Sequence, residues 1–340
     1  MGDTEDRKIV PDVITMIAKG AGALVAGGVG LGGAWLAYST LFVNHNVPLP
    51  DAIGARRHRF PSGSGGWISW YGDDHGMHRP LVLVHGISSH ASAFEVRPLF
   101  ERFRGDRPVY AIYLPGFGFS ERTDRVYYPE LYAETLLEWV ESYLPGAPQA
   151  VDLVALGLSC EFAAMAAAAR PDLFHSLTFI SPTGVSEADA VASERTLRVS
   201  SLPVWSQGFY DLIATRANIR HSLRRNFLRE PDEGLIHYSY LTSHQPGARF
   251  APLHYLSGHL FSPGIRDVYW KLSLPVLMLA DEEELRTSEG LAEFLLEHKN
   301  WHVASVPDAR TMPHFENLTG TVLAMDYFWQ ELPSPAEVEG

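Results

Sequence analysis

Three strand-like apolar runs in this chain each lead to a residue type that nucleophilic chemistry uses. Val151–Leu156 runs into Gly157-Leu158-Ser159-Cys160-Glu161, which offers a hydroxyl and a thiol. Val276–Leu279 runs into Asp281-Glu282-Glu283-Glu284, which offers carboxylates. Residues 301–306 precede Met312-Pro313-His314-Phe315-Glu316, which offers an imidazole. Hydroxyl, imidazole and carboxylate are the parts from which covalent acyl transfer is assembled. Other chemistries find less support. The 15 histidines form no H-E-x-x-H pairing, and no phosphate-cradling glycine loop with its lysine is present. Neither a metal nor a cofactor is therefore expected.

The elements that must position these groups are legible as a pattern. Leu81–Val84, Val109–Ile112, Val151–Leu156, 177–180 and Val276–Leu279 lack polar alternation. Strands covered on both faces read this way, which predicts a mostly parallel sheet. Helical patterns lie between them, around 92–103, 128–144, 160–170, 288–298 and 316–331. That βαβα order makes the fold class α/β, with a doubly wound sheet. Between Pro182 and about Tyr269 the sheet pattern stops, and the chain becomes helical and rich in arginine and aromatic residues. The expected organisation is an N-terminal tail and membrane-anchor segment (1–46), a core in two parts (47–182 and 271–332), a helical cap (183–270) and a disordered tail (333–340).

Four landmarks, in order, make the chain resemble the α/β-hydrolase family over roughly residues 55–332. His85-Gly86 closes a strand, as in the family's oxyanion loop. Leu114-Pro115-Gly116-Phe117-Gly118-Phe119-Ser120 is similar to the D-x-x-G-x-G-x-S turn, with Tyr113 where the family usually has aspartate. Ala155-Leu156-Gly157-Leu158-Ser159 occupies the strand-to-helix elbow, and Met312–Glu316 resembles the loop of the catalytic histidine. The resemblance implies a cap over the site, His314 as general base and an acid after Val276–Leu279. Glu283 and Glu284 lie nearest the family's spacing for that acid and are not separable. It implies oxyanion donors from the backbone N–H of Ile87 or Ser88, together with Leu158 or Cys160.

The elbow departs from the family. A nucleophile there sits on a sharp turn with small neighbours two residues either side. In one register Ala155-Leu156-Gly157-Leu158-Ser159 fits this rule, and Gly157 holds the nucleophile position with no side chain to attack. In the other, Gly157-Leu158-Ser159-Cys160-Glu161 keeps Ser159 as the catalytic nucleophile but puts Glu161 where bulk is unwelcome. The first register is preferred. Cys160 reads as a small buried thiol, and Glu161 as a first-turn acid facing the helix dipole.

Residues 20–43 carry no charge over 24 positions, seven of them glycine and five alanine. The run is long enough for a single membrane-spanning helix. Small residues recur four apart, as in Gly28–Gly32 and Gly33–Ala37, and Trp35 and Tyr38 suit an interface. A cleaved signal peptide fits less well, because the chain begins with Asp3, Glu5 and Asp6. Basic residues on both sides leave the orientation open. The overall charge of −13, from 27 Lys+Arg against 40 Asp+Glu, argues against a nucleic-acid partner. One cysteine excludes an internal disulfide. In the cap, Arg216, Arg220 and Arg224 lie four apart; a solvated face is preferred over a surface for anionic lipid or an acidic substrate. Trp205, Phe209, Tyr210, Tyr238, Tyr240 and Tyr255 read mainly as cap core, with some facing an apolar pocket. The leading expectation is a membrane-associated hydrolase of an apolar ester-like substrate. The alternatives are a lyase- or cyclase-type enzyme, or an inactive ligand-binding member.

Overall fold

The computed structural model describes residues 29–143, 150–185, 192–202, 205–287 and 291–332. The tail 333–340 lies outside these residues, as do positions 20–28 of the expected membrane span. Eight strands form one sheet in the order β1-β2-β4-β3-β5-β6-β7-β8. They are β1 Arg56–Ser62, β2 Gly66–Asp73, β3 Leu81–Val84, β4 Val109–Ile112, β5 Val151–Leu156, β6 Phe174–Ile180, β7 Val276–Leu279 and β8 Trp301–Ala304. From β4 to β8 every pairing is parallel. Each run that lacks polar alternation is thus an inner strand, and β3, β4, β5 and β7 are buried at every position, whereas β8 forms an edge. Helices cover both faces, as such strands require.

The antiparallel hairpin β1–β2 at one edge has no apolar run to announce it. The exposed side of β1 carries Arg57 and Arg59, stacked over Phe119 and Trp67. Such charges blunt a sheet edge against further pairing. At the opposite end from the C-terminal strand tips, Asp152 of β5 accepts from Arg107, Ser176 and His175. These partners hold its carboxyl below the usual aspartate range even though burial pushes the other way. This is a buried, fully engaged polar knot under the sheet.

The cap consists of short helices, Glu194–Ser200, Ser206–Ile213, Arg216–Arg224, Glu233–Ser243, Phe250–Leu256 and Ile265–Lys271. The arginine stripe is spent locally. Arg220 pairs with Glu233 and Arg224 with Glu230, while Arg216 meets His237 and lies over Tyr240. Tyr210 and Tyr238 are buried in the cap, whereas Trp205 keeps an exposed flank.

The N-terminal helix Val29–Phe42 departs from the expected span. It has 14 residues, and no helix among the described residues is long and apolar enough to cross a membrane. One side of it docks on the cap helix Ser206–Ile213. Trp35 Nε1 donates to the Gly208 carbonyl at 2.8 Å, and Ser39 donates to Asp211, which also meets His45. The two helices approach closely at Gly208, where a Cβ would stand 2.6 Å from Leu36 Cδ2 and oblige that side chain to shift. A polar, interlocked face of this kind belongs against protein. The other side leaves Tyr38, Leu41 and Phe42 exposed.

Candidate active site

The site is built where β3, β5, β7 and β8 end, beneath the cap. After β5 the chain reverses through Gly157 into the helix Ser159–Ala169. Gly157 has φ +54°, and its amide donates to the Ile180 carbonyl at 2.9 Å. This left-handed backbone is what a sharp strand-to-helix turn demands, and glycine adopts it without steric cost. A Cβ built at Gly157 would meet nothing within 4 Å. The position at the apex of the elbow is therefore open, and the residue there brings no side chain.

Ser159 lies two residues on, already inside the first turn of that helix. It has no solvent exposure, and its Oγ donates to the backbone carbonyl of His85 at 2.6 Å. The hydroxyl thus ties the helix to the loop after β3 and is not directed at His314. Cys160 is buried too, its thiol donating to the Ala155 carbonyl at 3.3 Å. Glu161 does more than face a helix dipole. Its carboxylate takes Thr183 Oγ1 and, at 2.8 Å, the Ser262 amide, so it pins both ends of the cap to the elbow.

His314 is fully buried, and its Nε2–H donates to the backbone carbonyl of Glu95 at 2.8 Å. Its Nδ1 has no hydrogen-bond partner among the described residues. Burial pulls its pKa down to about 4, so the ring is neutral at pH 7 and carries its lone pair on Nδ1. Glu283, one of the two expected acids, does not reach it. Asp281 is buried at the end of β7, and the chain coils into the helix Glu282–Thr287 immediately afterwards. That coiling turns Glu283 outward, where it meets Arg310 at 3.4 Å. Glu284 lies in the same helix, with its side chain outside the described residues.

The amides of Ile87, Ser88 and Leu158 donate to no described residue, so the loop after β3 and the elbow keep unspent N–H groups. Beside them sits a carboxyl that the motif reading missed. Glu95 is buried, and its Oε2 accepts the Gly86 amide at 2.8 Å. Its Oε2 lies 3.1 Å from where a Gly86 Cβ would stand, with the Leu156 carbonyl on the same side at 3.5 Å. Desolvation raises its pKa to about 7, against the opposing pull of the Gly86 amide. The available signal was a lone acid in Ala91–Val96, an otherwise apolar or small stretch. Among the described residues no group of three or more His, Cys, Asp or Glu side chains is placed to hold a metal ion.

A family model described as the alpha/beta hydrolase family matches residues 81–322. The chain belongs to this family. Among solved structures, it is similar to a probable hydrolytic enzyme from Pseudomonas aeruginosa PAO1, at 14% identity and TM-score 0.66, over 84% of this chain and 97% of that one. It is also similar to a bacterial membrane phospholipase A, at 18% identity and TM-score 0.61, over 96% of this chain and 98% of that one. A haloalkane dehalogenase variant from Bradyrhizobium elkanii follows at 16% identity and TM-score 0.61, covering 81% of this α/β-hydrolase and 96% of its own chain. At such identities the likeness is one of fold. No curated protein sequence matches.

Proposed function

We propose that this α/β-hydrolase-fold protein handles an apolar, carbonyl-bearing small molecule without forming an acyl-enzyme, and that it works at a membrane surface. One observation carries the first part. The apex of the elbow is Gly157, held at φ +54° with open space above it, while the nearest hydroxyl, Ser159, is committed to the His85 carbonyl. Covalent acyl transfer needs a side-chain nucleophile at the apex, and glycine supplies none.

What remains suits proton transfer. The unspent amides of Ile87, Ser88 and Leu158 would receive a carbonyl oxygen as negative charge develops on it. The neutral His314 offers an unengaged Nδ1 as base. Glu95, poised near neutrality, supplies or withdraws a second proton next to the same loop. The position of Glu95 beside the oxyanion loop supports this lyase- or cyclase-type chemistry, because it adds a second titratable group there.

The membrane part rests on the uncharged run 20–43 and on the exposed Tyr38, Leu41 and Phe42 at its end. Trp205 and Leu212 are exposed on and beside the cap helix that the N-terminal helix touches. An attachment that lies on the membrane surface through Tyr38, Leu41 and Phe42 leaves the docked side of that helix against the cap.

Labelling with a serine-directed fluorophosphonate tests the elbow. Wild-type protein should not label, and Gly157→Ser should acquire labelling, because its Cβ enters open space. Labelling of wild type that Ser159→Ala abolishes would refute the proposal.

A further inference from the structure

We propose that a small cavity between the cap and the core binds a compact monovalent anion of chloride size, which clasps the two together. The cavity measures about 10 Å³ for a water-sized sphere. It has room for one such occupant and no polyatomic ligand. Its walls come from both sides of the cap–core seam. Ser89 and His90 follow β3 and Arg122 follows the turn after β4, while Tyr210 and Thr242 belong to the cap helices Ser206–Ile213 and Glu233–Ser243.

Charge decides the kind of occupant. Arg122 forms no ion pair with any described residue; its one hydrogen bond is a long one, 3.5 Å, to the Thr242 carbonyl. The phenols of Tyr210, Tyr113, Tyr238 and Tyr127 surround it. Arg122 is half-buried, and a guanidinium partly withdrawn from water without a counter-charge attracts an anion. Donors for it are already present. Ser89 Oγ lies 3.0 Å from His90 Nδ1; when Ser89 donates there, His90 Nε2 carries the proton. The Thr242 hydroxyl donates to no described residue. The Tyr210 hydroxyl closes the seam by donating to the Ser89 carbonyl at 2.6 Å. Arg122, His90 and Thr242 thus line one water-sized volume that carries a net positive charge and has no ion-pair partner among the described residues. Water would fill the space but leave that charge uncompensated.

Occupancy then favours the closed cap by mass action, since the site exists only when the cap helices meet the core. The test uses the full chain at fixed ionic strength, exchanging sodium gluconate for sodium chloride or bromide. Chloride and bromide should raise Tm. The chloride-35 NMR line should broaden and sharpen again when bromide competes. Crystals soaked in bromide should show an anomalous peak in the cavity. Arg122→Gln should lower chloride affinity by about tenfold or more, the loss of one charge-assisted bond. Arg56→Gln, on the exposed edge of β1, should respond like wild type. Thr242→Val, which keeps the charge, should weaken binding less than Arg122→Gln and serves if that variant does not fold. Equal responses of the Arg122 and Arg56 variants, a bromide map with no peak in the cavity, or equal stabilisation by the larger acetate ion would each overturn the proposal.

Discussion

Replacing Glu95 by glutamine should stabilise the protein at alkaline pH and do little at acid pH. Glu95 is buried with its Oε2 on the Gly86 amide, and desolvation raises its pKa from 4.5 to about 7. Between those two values the folded chain holds a proton that the unfolded chain has released. The folded state therefore binds more protons across this window, and stability falls as pH rises through it. The contribution is complete below 4.5 and lost above about 7. At about 1.36 kcal/mol per pH unit, the gap between 4.5 and about 7 corresponds to roughly 3 kcal/mol. Glutamine keeps an oxygen for the Gly86 amide and has no proton to lose. Urea unfolding of both proteins at pH 4.5 and pH 8 should then show the variant gaining up to about 3 kcal/mol relative to wild type between the two. His85, His90 and His314, each pulled down to about 4 by burial, give an opposite slope below pH 6.5, but they are common to both proteins and cancel. A difference between the two proteins that does not change with pH, or that shrinks as pH rises, would refute the reasoning.

Ser159→Ala should cost about 1 kcal/mol through the lost hydrogen bond to the His85 carbonyl. It should leave substrate turnover unchanged, as thermal melts and a turnover assay would show. Asp152→Ala strips the buried Arg107 of its partner and should cost about 3–5 kcal/mol, read from the urea midpoint. The full chain should sediment with membranes and resist a high-salt wash, whereas a chain beginning at residue 44 should remain soluble. That shortened chain should also melt earlier, because it lacks the bonds from Trp35 to Gly208 and from Ser39 to Asp211. Recovery of the full chain from the soluble fraction would remove the membrane reading.

Local sequence was enough for the strands because burial on both faces leaves a simple mark. Leu81–Val84 and Val109–Ile112 are apolar throughout, and both lie inside the sheet. The hairpin β1–β2 was less legible, since an edge strand such as Arg56–Ser62 mixes charge with apolar residues. Glu283 turns away from His314 for a different reason. Spacing along the chain pointed to Glu283 and Glu284, but a helix beginning at Glu282 rotates successive side chains by about 100° each. Counting residues says nothing of that rotation.

What the sequence by itself determined is the scaffold and the absent side chain. Alternation, apolar runs and the order of the four landmarks suffice for a parallel sheet with a cap, and glycine at position 157 is glycine in any fold. Only the tertiary structure decided where the remaining polar groups turn. It directed Ser159 to a backbone carbonyl, set the His314 ring against Glu95 and docked the N-terminal helix on the cap through Asp211. It also brought Glu95 beside Gly86, nine residues away in sequence, and removed both from water. Local pattern records whether a residue prefers water. The partner that compensates a buried polar group is chosen by distance through space, and that distance exists only once the layers have packed.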